Sequence, residues 1–72
     1  MNRFYQALTS YYDSRINESV ATLDLYFNKS VGIGEHSDIL EEIKKYTAIL
    51  DDSHSKLETL KLYFDNNGTP KT

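Results

Sequence analysis

Residues 39–64 read ILEEIKKYTAILDDSHSKLETLKLYF, and the spacing of their apolar side chains decides the fold. Apolar residues recur at alternating steps of four and three, which is the heptad pattern of a helix that packs along one seam. Ser53 is the only polar member of this seam. The seam positions are Ile39, Ile43, Tyr46, Leu50, Ser53, Leu57, Leu60 and Phe64. No glycine or proline interrupts them, so the sequence predicts one helix over about residues 38–65.

A second stretch without glycine or proline precedes this one, over about residues 2–28. Its apolar stripe repeats every 3.7 residues or so, a period close to that of a straight helix, and we therefore expect this helix to supercoil little. The stripe consists of Tyr5, Leu8, Tyr12, Ile16, Val20, Leu23 and Phe27.

Residues 29–37 connect the two helices and contain Gly32 and Gly34. Two glycines so close together favour a chain reversal over one continuous helix. The last residues, 67–72, are polar and include a glycine and a proline, so we expect a flexible tail there. The sequence thus predicts a single domain over residues 1–66.

The register of the two helices can be tested by arithmetic. If the chain reverses around Ile33, residues that face each other have numbers that add up to about 66. That register pairs Leu23 with Ile43 and Tyr5 with Leu60, and it matches apolar residues along the full length. The sequence therefore predicts an all-α, antiparallel two-helix hairpin.

The chain is short for such a fold to be stable alone. It has 72 residues, of which 39% are hydrophobic, and no cysteine, so disulfides and thiolate metal sites are excluded. Both helices carry apolar residues beside the seam that a single partner helix cannot cover. We therefore expect a homodimer that forms a four-helix bundle. The predicted partner interface consists of Phe4, Tyr11, Tyr26, Leu40, Ile49 and Tyr63. The alternative is that these flanks stay half exposed, which tyrosine tolerates because its hydroxyl can remain hydrated.

Charge and hydropathy argue against several kinds of partner. The net charge is −3 and the basic residues are scattered, which disfavours nucleic acid binding. No run approaches the ~18 apolar residues of a membrane span, and the first ten residues lack the apolar core of a secretory signal. We expect a cytoplasmic protein.

Three polar clusters could in principle carry chemistry. The glycine pair lacks the rest of a phosphate-binding motif, and Glu35 beside it would repel a phosphate. In the run Glu35-His36-Ser37-Asp38, a helix-capping role for Ser37 or Asp38 is favoured over catalysis or metal binding. We therefore expect no enzyme activity, no cofactor and no metal.

The third cluster, Asp51 to His54, reads as a solvated polar break in the seam. In the predicted register Arg15 lies near Asp51 and Asp52, which predicts an ion pair across the helices.

Residues 25–28 (LYFN) and 31–39 (VGIGEHSDI) resemble a motif in small uncharacterised proteins of tailed bacteriophages, where it joins two predicted helices. The resemblance implies a phage protein that acts in the host cytoplasm or near the virion, and it implies no activity. We expect a small interaction or assembly protein that self-associates or docks on a larger protein through its aromatic flanks. The alternative is a phage-encoded factor that binds and modulates a host enzyme.

Overall fold

The computed structural model describes residues 1–29 and 38–71. It contains two helices of 26 residues each, α1 (Arg3–Asn28) and α2 (Asp38–Tyr63), which pack against each other in a rod of 51 × 17 × 16 Å. The predicted all-α hairpin is confirmed, and both helices end within two residues of the predicted positions. The connector residues 30–37, with their glycine pair and the predicted cap Ser37, lie outside the described residues.

α1 begins at a side-chain cap. Asn2 has an extended backbone (φ −77°, ψ 125°), and its Oδ1 accepts a hydrogen bond from the backbone N of Tyr5 at 3.0 Å. Its carbonyl accepts the first intrahelical bond, from Gln6 N at 3.0 Å. Asparagine is among the best residues at this position because its side chain satisfies a donor that the helix leaves free.

The core lies along the seam and is narrow. Within residues 1–29 and 38–71, four residues are buried, two serines and two leucines, with exposed fractions of 0% for Ser19, 3% for Ser53, 4% for Leu57 and 7% for Leu23. The other seam residues are half-buried: Tyr5, Thr9, Tyr12, Ile16, Tyr26, Ile39, Ile43, Tyr46, Leu50, Leu60 and Phe64.

The buried stripe of α1 differs from the predicted one. It runs through Tyr5, Thr9, Tyr12, Ile16, Ser19, Leu23 and Tyr26, in steps of four and three, so α1 shares the heptad period of α2. Leu8, Val20 and Phe27 are 40%, 51% and 63% exposed instead. The prediction that α1 departs from the heptad is wrong, because two helices that share a seam must repeat with the same period to stay in contact.

The ends of the helices show their direction and register. The hydroxyl of Tyr5 donates to the carbonyl oxygen of Leu60 at 3.4 Å, which brings together the pair that the predicted register specifies. Asn2 lies beside Gly68, since a Cβ on that glycine would be 3.4 Å from the Asn2 Cβ. The start of α1 therefore packs against the end of α2, and the hairpin is antiparallel.

Residues 64–71 fold back after α2 and form what we call the C-terminal clasp. Three backbone hydrogen bonds hold it: Asp65 N to Thr69 O (3.0 Å), Gly68 N to Asp65 O (2.9 Å) and Lys71 N to Tyr63 O (2.9 Å). The Asp65 carboxylate also accepts from the backbone N of Asn67 and of Thr69, each at 2.9 Å. Gly68 has φ +73°, a left-handed conformation that glycine adopts without strain.

The described part of the predicted flexible tail thus forms a hydrogen-bonded turn. The physical reason is that Asp65 satisfies several backbone donors at once while Gly68 allows the reversal.

Candidate docking surface

One side of the rod carries two adjoining shallow grooves. Leu50 lines both of them. The first groove has a volume of about 280 Å³ and is also lined by Val20, Leu23 and Phe27. The second has a volume of about 370 Å³ and is also lined by Thr47, Asp51 and His54. The polar residues of the grooves are Asp24, Asn28, Thr47, Asp51 and His54. Because one leucine contributes to both, these flanks of α1 and α2 lie on the same side, which we call the groove face.

The other two flanks must then share the opposite side. On α1 this flank carries Phe4, Leu8 and Tyr11 at helical steps of four and three, with Leu25 two heptads beyond Tyr11. On α2 the same flank includes Ile49 and Tyr63, which are two heptads apart. We call this side the aromatic face and define it by its large apolar residues Phe4, Leu8, Tyr11, Leu25, Ile49 and Tyr63.

Most of the aromatic face is open to solvent. Phe4 is 88% exposed, Tyr63 59% and Tyr11 56%, whereas Ile49 is half-buried at the edge of the seam. Exposed apolar side chains of this size on one side of a rod mark an interaction surface more often than scattered exposed leucines do.

The predicted interface residues fall on more than one surface. Four of the six lie on the aromatic face, while Leu40, at 58% exposure, lies on the groove face, seven residues before Thr47. Tyr26 is half-buried in the seam. The structure adds Leu8 and Leu25 to the aromatic face.

A pair of aromatic rings orders the middle of this face. The rings of Tyr11 and Tyr12 are 5.3 Å apart at an angle of 67°, an edge-to-face arrangement that aromatic pairs prefer. Since Tyr12 is half-buried in the seam, its ring limits the positions that Tyr11 can take. Next to them, Phe4 and Leu8 border a shallow pocket of about 210 Å³ whose floor includes Leu60.

Two ion pairs near the centre of the aromatic face each form within one helix. Arg15 Nη1 lies 2.7 Å from Glu18 Oε1, and Lys56 donates to the Asp52 carboxylate one turn away. The hydrogen bond with Asp52 raises the pKa of Lys56 above its ordinary value. The opposite charges within each of these two pairs therefore cancel.

The predicted ion pair between Arg15 and Asp51 or Asp52 does not form, and this expectation is wrong. Neighbours three or four residues apart on the same helix are closer than residues across the seam.

Among the described residues, no three metal-binding side chains come together, and Asp51 and His54 are exposed on the wall of an open groove. Residues Glu35 to Ser37, considered above as a capping or catalytic cluster, lie outside the described residues. Neither α1 nor α2 is long and apolar enough to cross a membrane.

Comparison with known proteins adds no identity to these features. No protein family, no curated protein and no solved structure matches the chain. The resemblance to bacteriophage proteins stays a prediction. The function is therefore inferred from the geometry of the aromatic face.

Proposed function

We propose that this protein is a small, non-catalytic interaction or assembly protein that binds another polypeptide through its aromatic face. Self-association of two hairpins into a four-helix bundle is one form of this binding. Docking on a larger protein is the other, and the alternative function, binding and modulating a host enzyme, would be a case of it. The observation that supports the proposal is the exposure of Phe4, Tyr11 and Tyr63 on one side of the rod.

The apolar core of this fold is small. Only two apolar residues, Leu23 and Leu57, are buried among the described residues. Burial of apolar surface contributes about 25 cal/mol per Å², and an aromatic side chain can bury roughly 150–250 Å². Covering the aromatic face would therefore add several kcal/mol to a fold that has few of its own.

The shape of the surface fits a polypeptide partner better than a small molecule. Pockets for small molecules are enclosed, whereas the grooves and the aromatic face of this rod are open along its length. A helix that lays an apolar stripe along such a surface is a common mode of recognition.

Site-specific photo-cross-linking tests the proposal in cells that naturally produce the protein. A benzophenone amino acid is placed at Phe4 and, as a matched control, at Leu62, which is 67% exposed and points away from the seam. We expect a protein adduct from position 4 and little or none from position 62. The adduct mass tells a second copy from a different protein. No adduct from position 4, or equal adducts from both positions, contradicts the proposal.

A further inference from the structure

We infer that the partner of the aromatic face is a second copy of this chain, packed face to face with both rods pointing the same way. In this arrangement α1 of each copy lies over α2 of the other. The inference rests on the proposed function and specifies its partner, its face and its geometry.

The rod exposes more surface than a compact monomer of its mass. The chain exposes 5509 Å². A monomer of 8.3 kDa with ordinary compactness exposes about 4,600 Å², so this rod carries about 900 Å² in excess. A stable interface removes about 800 Å² from each partner. One face covered by a second rod of the same length accounts for the excess.

The two faces differ in the number of large apolar side chains that they expose. The aromatic face exposes five, Phe4, Leu8, Tyr11, Leu25 and Tyr63, and its two central ion pairs are closed within their own helices. The groove face has three large exposed ones, Val20, Phe27 and Leu40. Two copies therefore bury more apolar area through the aromatic face.

The charges of the two copies are complementary in the parallel arrangement. A twofold axis along the rod leaves every residue at the same position along the rod in both copies. A residue of α1 therefore lies over the partner's α2 at the level of the α2 residues that it packs beside in its own chain. Phe4 then meets the partner's Tyr63, and Arg15 meets the partner's Asp52. The first contact is aromatic on aromatic and the second joins opposite charges.

The two ends of this interface differ. Towards the connector, Glu18 and Glu42 come opposite the apolar Ile49 and Leu25, which makes a poorer contact than the aromatic one near the termini. The tightest part of the interface is therefore the half that contains Phe4, Tyr11 and Tyr63.

The antiparallel alternative brings like charges together. A twofold axis across the middle of the rod stacks α1 on the partner's α1 and α2 on the partner's α2. With full overlap, Arg15 then faces the partner's Arg15, and Asp52 faces the partner's Asp52. Juxtaposed like charges disfavour this packing, since an isologous interface repeats each residue on both sides of the axis.

Sedimentation velocity on purified protein tests the partner and the face. We expect the wild-type chain to sediment as a dimer of twice 8.3 kDa at micromolar concentration. Phe4→Glu should weaken the dimer at least 100-fold, because it places a carboxylate in the tightest part of the interface. The matched control Phe27→Glu changes a 63% exposed phenylalanine on the groove face and should leave the dissociation constant within threefold.

The outcomes separate this inference from the proposed function. Circular dichroism at 222 nm checks that both variants stay helical, and a glutamate in the first turn of α1 is favourable for the helix. A wild-type chain that stays monomeric at 100 µM or so overturns the inference, while a cross-link from Phe4 to another protein would still support the function. Dissociation by Phe27→Glu alone would assign the interface to the groove face and overturn the inference as well.

Disulfide trapping tests the orientation, because the chain has no cysteine of its own. Two single-cysteine variants are mixed and oxidised, and the mixed disulfide is measured by mass. The parallel arrangement predicts a disulfide between Leu8→Cys and Thr59→Cys, since these positions face each other between copies. A dominant disulfide between Leu8→Cys and Thr22→Cys would show the antiparallel arrangement and overturn this part of the inference.

Discussion

The centre of the seam and its terminal end hold the two helices together in different ways. At the centre, Ser19 and Ser53 are buried almost completely, and a leucine one turn from each is buried with it. At the terminal end, Tyr5 and Phe64 are only half-buried, but hydrogen bonds close the structure: Tyr5 to Leu60 across the seam, and the bonds of the C-terminal clasp.

This difference shows that depth of burial in a two-helix seam follows size as much as hydrophobicity. Serine is small enough for two helices to enclose it, and the leucine one turn away is buried with it. Tyrosine and phenylalanine are too large for two helices to enclose, so part of each ring stays outside. The centre thus depends on tight packing, and the terminal end depends on caps and turns.

The largest effect should come from removing packing at the centre. Leu57→Ala leaves a cavity in the seam and should lower the free energy of unfolding by about 2–5 kcal/mol, close to the whole stability expected for a chain of this size. Urea denaturation followed by circular dichroism, at one fixed protein concentration, measures it.

The matched control for this change is Leu62→Ala. Leu62 is 67% exposed on the outer side of α2, so its truncation should change stability by about 0.5 kcal/mol or less. Equal losses from the two variants would mean that the centre of the seam is not where the stability lies.

A smaller effect is expected when the centre is overfilled. Ser53→Leu restores a fully apolar heptad in α2, yet the close approach leaves no room, and we expect a loss of about 1–3 kcal/mol. Ser55→Leu makes the same change two residues away on the exposed side, where leucine is the better helix former and should be neutral or slightly stabilising. A gain in stability from Ser53→Leu would show that the helices can separate at little cost.

The terminal end is tested through its turn. Gly68→Ala should cost about 1–2 kcal/mol, because alanine is strained at a φ of +73°, while the added Cβ itself meets Asn2 at an ordinary contact distance. Amide exchange at Thr69 and Lys71 should become faster, since both amides donate within the clasp. Asn67→Ala, which has no such backbone constraint, is the control, and equal effects from both changes would argue against a role of the turn.

Much of the fold follows from α2 alone. Its seam positions carry large apolar side chains except at Ser53, so the heptad is unambiguous, and the sum of facing residues then pairs Tyr5 with Leu60 as observed. The C-terminal ends of both helices can also be predicted from the sequence, because glycines or polar residues follow them.

The seam of α1 could not be read in the same way. Counting apolar residues selects Val20 and Phe27, but the helix buries their neighbours Ser19 and Tyr26. The period of a seam is set by both helices together, so α1 must be read in the period of its partner. The same error assigned Tyr26 to the predicted interface, whereas α1 half-buries Tyr26 in the seam.

The sequence of the C-terminal clasp contains a turn motif that its polar composition does not reveal. Asp65-Asn66-Asn67-Gly68 has aspartate at the first position and glycine at the fourth, which is typical of a β-turn, and the bond from Gly68 N to Asp65 O closes it. Polar composition indicates exposure, and it does not by itself indicate disorder.

The smallest and most specific effect concerns Ser19. Its Oγ is buried and has no hydrogen-bond partner among the described residues. Ser19→Ala removes that unsatisfied group and places the best helix former in α1, so we expect a gain of about 0.5–1.5 kcal/mol in urea denaturation. Ser53→Ala should raise the free energy of unfolding less, because the Ser53 Oγ is not among the buried oxygens that lack a hydrogen-bond partner in the described residues.

A loss of stability from Ser19→Ala would mean that the hydroxyl has a partner, and that the centre of the seam is held by polarity as well as by size. The variant also separates the core from the docking surface. Because Ser19 lies between the helices and not on the aromatic face, Ser19→Ala should leave the dissociation constant of the proposed dimer within threefold of wild type. A larger change would mean that the seam and the aromatic face are coupled, so that closer packing inside one copy alters the surface offered to the next.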